Sequence, residues 1–153
     1  MSEVLERIDN DRVAGYIVEH GNTQEIANIV SSVAMGGGKC EKVVKALEGS
    51  REATELMLRE GETQHISSVV WGIAMVGLEA PYFVGEAARR KEIVAFIMEQ
   101  GQYKAICAYI WGLAVLRVEA PLVVEAMGRR EIAEEIKRGG EELVEVMGWC
   151  VER

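Results

Sequence analysis

Residues 61–81 read GETQHISSVVWGIAMVGLEAP, and residues 101–121 read GQYKAICAYIWGLAVLRVEAP. Gly61 answers Gly101, Trp71 answers Trp111, Gly72 answers Gly112, and the Glu-Ala-Pro ending at Pro81 returns at Pro121. The interval is about forty residues. Self-similarity at ~20–50 residues marks stacked units, none of which can bury its apolar face alone. These two stretches therefore decide the fold, and the segments on either side keep their phase.

Upstream of each, the segments 12–21 (RVAGYIVEHG), 52–61 (EATELMLREG) and 92–101 (EIVAFIMEQG) share an amphipathic pattern ended by glycine. Gly21, Gly61 and Gly101 are expected to take the left-handed conformation that closes a helix. A more apolar helix follows each stop, at 23–35, 63–76 and 103–116, and Asn22 with Glu25 three residues on predicts a capping box. The third of these is apolar around most of its circumference, through Ile106, Tyr109, Ile110, Trp111, Leu113 and Leu116, as a helix buried between neighbours must be. Trp71 and Trp111 are both expected in the core.

A third amphipathic segment comes next, at 39–48, 81–90 and 121–130. Pro81 and Pro121 suit a first helical turn, where the missing N–H has no intrahelical acceptor in any case. The spacing of Val84, Ala87, Ala88, Val94, Ile97 and Met98 favours one helix running into the next copy. Gly49-Ser50 favours a break, with Ser50 as N-cap. The first copy has Ser31 in place of tryptophan and Gly36-Gly37-Gly38 as a flexible inter-helix loop. The expected fold is all-α: a short α-solenoid of about three and a half ~40-residue repeats. It forms a single domain spanning 1–153, with units at approximately 12–50, 51–90, 91–130 and a truncated 131–153.

The 153-residue chain is 49% hydrophobic and 27% charged, a soluble composition at a length that buries roughly 70% of the unfolded surface. Cys40, Cys107 and Cys150 are odd in number and scattered, which speaks against a disulfide framework and for a reducing compartment. Cys107 reads as a small core residue. The opening MSEVLERIDNDRV lacks the apolar run of a signal peptide, and the most apolar segment, 105–116, falls short of the ~20 residues that cross a bilayer. The expectation is a cytoplasmic protein with no membrane partner.

The run TQHISSVVWGIAMVGLEAP at 63–81 resembles the helix at the heart of octotricopeptide-like and FAST-kinase-type repeats. The matching residues are Trp71, Ala74, Gly77, Glu79 and Pro81, followed one copy later by Trp111, Ala114, Glu119 and Pro121. Gly72 and Gly112 stand where those repeats carry alanine. The resemblance implies paired-helix units and, because such repeats occur in organellar RNA-binding proteins, RNA as a partner. Armadillo and HEAT repeats are similar in period and helix count, and imply the α-solenoid alone.

Residue chemistry points to binding rather than catalysis. Gly36-Gly37-Gly38-Lys39 fails as a phosphate loop, with Val33 at its first glycine position, Cys40 at its hydroxyl position and a helix where a strand is needed. His20 and His65 are the only histidines; they read as turn and cap residues, and no ligand spacing for zinc accompanies them. Paired acids such as Glu134-Glu135 read as solvated helix faces. No enzyme activity, cofactor or metal is expected.

Arg51, Arg89-Arg90-Lys91 and Arg129-Arg130 recur at one phase, so stacking aligns them into a ridge that suits RNA phosphates. The competing use is pairing with Glu52, Glu92 and Glu131 near helix ends. A net charge of −8 opposes nucleic-acid binding. The function expected is a non-catalytic scaffold for protein–protein interaction or self-assembly, with RNA binding as the alternative. Candidate partner contacts are Arg89, Arg90, Arg129 and Arg130, with the helix-start positions that vary between copies, Gln24, Gln64, His65, Tyr103 and Lys104. In 141–152, Leu143, Met147, Trp149 and Cys150 share a helix with no third element after it, and are expected to pair two chains as a homodimer about a two-fold axis.

Overall fold

The computed structural model describes residues 10–38, 40–129 and 134, and among these every regular element is helical. In chain order these are α1 (Asp11–His20), α2 (Thr23–Met35), α3 (Glu41–Gly49), α4 (Arg51–Glu60), α5 (Thr63–Val76), α6 (Pro81–Arg89), α7 (Lys91–Gln100), α8 (Tyr103–Val115) and α9 (Pro121–Met127). The starts recur in step: α1, α4 and α7 at residues 11, 51 and 91, then α2, α5 and α8 at 23, 63 and 103. Helices α3, α6 and α9 begin at 41, 81 and 121. The open question of helix number resolves to three per copy, because the chain turns extended at Ser50 and again at Arg90.

Local chemistry accounts for most boundaries. Asn10 accepts from the Val13 N–H at 2.9 Å, and Ser50 from the Ala53 N–H at 3.1 Å, each satisfying a donor that a helix start leaves open. Asn22 and Glu25 form the expected capping box, and Pro81 and Pro121 occupy first turns. The stops after α1, α4 and α7 need glycine for a different reason from the one expected. Gly21, Gly61 and Gly101 are extended, with φ between −65° and −73°. A Cβ on Gly21 meets the Ile17 carbonyl oxygen at 2.5 Å, and one on Gly61 or Gly101 lies closer still to the matching oxygen of Met57 or Ile97.

The left-handed residues come one helix later, at Gly37 (φ 74°), Gly77 (φ 71°) and Arg117 (φ 55°). There the chain closes the same motif three times. The N–H of Gly38, Leu78 or Val118 reaches back to the carbonyl of Val33, Ile73 or Leu113 at 2.9–3.1 Å, the 6→1 bond of a Schellman cap. Gly36-Gly37-Gly38 is thus part of a hydrogen-bonded helix end, in contrast to the flexible loop expected.

Helix α5 packs against α2 on one side and α8 on the other. Val30, Val69, Val70, Ile73 and Tyr109 are fully shut off from water there, each aliphatic contributing roughly 1.5–3 kcal/mol of transfer free energy. Gly72 and Gly112 set the spacing. A Cβ at Gly72 falls 2.6 Å from Cγ1 of Val30, and one at Gly112 falls 2.8 Å from Cγ1 of Val70, so each helix rests backbone-close on the valine before it. Cys107 is buried as expected, and burial pushes its thiol up. Trp71 is buried, but Trp111 is only half-buried, a correction to the paired-core expectation. Its helix α8 is the last described member of the column, whereas Trp71 lies on α5, flanked on both sides.

Candidate functional site

Three arginines of the proposed ridge, Arg89, Arg90 and Arg129, are held by carboxylates, and by different ones from those adjacent in sequence. Arg90 lies at the bend between α6 and α7, 22% exposed. Its guanidinium donates to both oxygens of Glu55 on α4, at 2.8 Å for the Nη1–Oε2 contact, and through Nε to Glu86 on α6 at 2.9 Å. Tyr82 donates its hydroxyl to the same Glu55 carboxylate at 2.8 Å, and Arg51 stacks on the Tyr82 ring with Cζ 3.3 Å from its centroid. The fork of Arg90 and the phenol of Tyr82 hold the Glu55 carboxyl down at about 2, with the Arg90 hydrogen bond the larger cause. Arg90 likewise holds Glu86 below the usual carboxylate range, and the two acids raise the guanidinium above its ordinary value. Arg89 pairs with Glu86 while remaining 75% exposed, and Arg129 donates to Glu99 at 2.7 Å.

One more carboxylate completes this junction. Glu48 at the end of α3 accepts from the Tyr82 N–H at 2.6 Å and the Phe83 N–H at 3.0 Å, capping α6 from the preceding copy. Sequence reasoning missed Glu48, Glu55 and Tyr82. Their signal lay in comparing copies, since the positions one interval on hold Ala88, Ala95 and Leu122. Gly85 and Ala88, where α3 has Lys45 and Glu48, and Leu122, where α6 has Tyr82, line a cleft of about 490 Å³ between α6 and α9 together with Pro81, Val118 and Pro121.

The varying helix-start positions lie on α2, α5 and α8, which pack as neighbours. Gln24, Gln64 and Lys104 are exposed at equivalent first-turn positions, and Tyr103 is half-buried. His65 joins two of the starts. Its Nδ1 accepts the Glu62 backbone N–H at 3.2 Å and lies 3.0 Å from the Thr23 hydroxyl of α2. A backbone N–H only donates, so Nδ1 is unprotonated and Thr23 is the second donor to it. Arg130, Leu143, Met147, Trp149 and Cys150 lie outside the described residues.

The apolar surface is uneven along the stack. Val44 and Val84 are 1% and 2% exposed, but Val124, at the same position one interval on, is 68% exposed. Ala34 and Ala74 are buried, whereas Ala114 is exposed. Among the described residues no helix is long and apolar enough to cross a membrane, and no group of three His, Cys, Asp or Glu is placed to hold a metal ion. No protein-family profile, curated protein or solved structure matches the chain.

Proposed function

We propose that the chain is a short α-solenoid of about three and a half three-helix units, a non-catalytic scaffold for protein–protein interaction or self-assembly. The observation that carries this reading is Val124, exposed on α9 where the equivalent valines of α3 and α6 are covered. Val115 on α8, in the same copy, is also exposed. A face that earlier copies bury and the last described copy leaves open suits a polypeptide partner. The polar chemistry supports the same reading: Glu55, Glu86, Arg90 and Tyr82 hold one another in joints between helices, and Arg89, which lines the cleft beside Tyr82 and Glu86, is itself paired with Glu86.

RNA has no comparable observation behind it. Arg89, Arg90 and Arg129 each sit on a carboxylate, so phosphate has to displace an acid at each of these three positions. The resemblance to octotricopeptide-like repeats enters the proposal as architecture. The test is affinity capture from source lysate with the full-length protein, with and without nuclease, beside a Val124→Glu variant. Captured protein should survive nuclease and be lost with the variant. Capture abolished by nuclease and indifferent to Val124→Glu overturns the reading in favour of nucleic acid.

A further inference from the structure

Gly85 stands in the middle of α6, where glycine weakens a helix relative to alanine. Nothing in the packing asks for it. Its φ is not positive, and a Cβ built there meets no atom within 4 Å. Gly72 and Gly112 differ, since a Cβ on either meets a valine of the neighbouring helix. What the missing side chain at Gly85 leaves is space. Gly85 lines the cleft of about 490 Å³ between α6 and α9, and also a second cleft of about 340 Å³ that shares Pro81 and Val118 with the first. The two form one groove, lined by residues from 79–89 and 116–122 alone, so it lies between two copies and not at an end of the stack.

One interval earlier the positions of Gly85 and Ala88 carry Lys45 and Glu48, and Glu48 spans from α3 to the Tyr82 and Phe83 N–H groups of α6. Ala88 is too short to repeat that span. The groove is mainly apolar, with Val84 and Ala88 buried and Pro81, Val118, Pro121 and Leu122 along it. Its charge is acidic. Glu86 is already held by Arg89 and Arg90. That leaves Glu79 in one cleft and Glu119 in the other, both exposed and with no ion pair among the described residues. Arg117 is exposed beside Leu116 and Val118 in sequence, but lines neither cleft. The whole chain carries −8, which draws cationic partners from a distance.

We infer that this groove takes a basic segment of a partner protein, with an apolar side chain entering over Gly85 and flanking Lys or Arg residues meeting Glu79 and Glu119. This rests on the scaffold reading, and adds to it a site apart from Val124, which lines neither cleft, and the chemistry of the partner. Apolar burial supplies most of the affinity and the exposed charge pairs supply the register, because each such pair contributes little by itself. Nucleic acid does not fit, since its phosphates meet two unpaired carboxylates. The helix stability given up at Gly85 is then given up for binding.

The experiment selects a displayed library of short random peptides on the immobilised full-length protein, then measures a selected peptide by fluorescence anisotropy against variants. Selected peptides should carry Lys or Arg on both sides of an apolar residue. Gly85→Leu fills the groove from a helical position with room for a side chain, so thermal stability should hold while the peptide is lost. Glu79→Gln with Glu119→Gln should weaken binding about tenfold, equivalent to some 1.4 kcal/mol. Glu19→Gln with Glu52→Gln changes the net charge equally at exposed positions outside the groove, and should leave binding nearly unchanged. Binding indifferent to Gly85→Leu, with both acid pairs weakening it alike, is diffuse charge attraction and overturns the inference. Selected peptides without basic residues, or no selected peptide at all, also overturn it. In each of these cases, captured protein that survives nuclease and is lost with Val124→Glu leaves the scaffold reading standing.

Discussion

Tyr109 donates its hydroxyl to the backbone carbonyl of Ala87 at 2.6 Å, from a side chain with no exposure to water. Ala87 lies in the last turn of α6, where carbonyls run out of intrahelical donors. One interval earlier the equivalent carbonyl, Leu47 at the end of α3, accepts the hydroxyl of Thr54 at 2.7 Å as well as the Ser50 N–H at 3.2 Å. The two copies reach one end by different side chains: where Thr54 becomes Val94, Val69 becomes Tyr109. Burial pushes the Tyr109 phenol well above its ordinary value, so it remains a donor across the working pH range.

Tyr109→Phe should therefore cost about 1–3 kcal/mol, the penalty of leaving a buried acceptor unpaired. Val94→Thr in the Tyr109→Phe background should recover part of that loss by copying the Thr54 arrangement. Urea denaturation of the four chains forms a double-mutant cycle. Strict additivity, with no recovery in the double variant, shows that the two hydroxyls are not interchangeable.

Much of this was legible from the chain alone, and the boundary has a physical cause. Helix placement and the caps at Asn22, Ser50, Pro81 and Pro121 follow from residues within four positions of one another. The Glu55–Arg90 pair spans 35 residues, and Glu48 reaches Phe83 across the same separation, so both depend on how one helix lies against another. Periodicity does not encode that placement. The glycine stops show a subtler gap. Their positions were readable, but an extended Gly61 lying against the Met57 carbonyl and a left-handed glycine leave the same mark in a sequence. Trp71 and Trp111 are alike in sequence and differ in burial, because burial depends on what lies on the far side.

The acid limb of stability should belong to the Glu55–Arg90–Glu86 cluster. Glu55 is held at about 2 and Glu86 below its ordinary value, each first through the Arg90 hydrogen bond. A folded-state pKa below the unfolded one means the unfolded chain binds more protons in between. The stabilisation is therefore complete above the ordinary carboxylate range and is lost as pH falls toward about 2. Between about pH 5 and pH 2 the wild-type denaturation midpoint should drop more steeply than that of Glu55→Gln. Parallel slopes in the two proteins contradict the assignment.

Ser67 offers a test of opposite sign. It is 1% exposed on α5, and its hydroxyl has no hydrogen-bond partner; the equivalent position on α2 is the buried Ala27. Ser67→Ala removes an unpaired buried group and restores a better helix former, so stability should rise by about 1 kcal/mol. A loss on thermal or chemical denaturation means the hydroxyl has found a partner, such as a carbonyl one turn back.

Two helical glycines should respond oppositely to alanine, because they meet different surroundings. At Gly85 a Cβ has no neighbour within 4 Å, so Gly85→Ala keeps only the helix-propensity gain of about 0.5–1 kcal/mol. At Gly112 a Cβ lies 2.8 Å from Cγ1 of Val70 and 3.2 Å from its backbone carbon and oxygen. Valine in a helix holds one rotamer strongly, and the backbone atoms cannot turn aside, so the α5–α8 spacing has to widen. Overpacking of this kind costs about 1–3 kcal/mol, which exceeds the propensity gain, and Gly112→Ala should destabilise on balance. Gly72→Ala sits between them: its close contact at 2.6 Å is the Val30 side chain, with the backbone further off at 3.3 Å. The expected order of stability change is therefore Gly85, then Gly72, then Gly112, read as urea midpoints at constant m-value. A Gly112→Ala chain as stable as Gly85→Ala means that the column is not held at the spacing described, and the glycines that follow Trp71 and Trp111 then have no steric reason to be there.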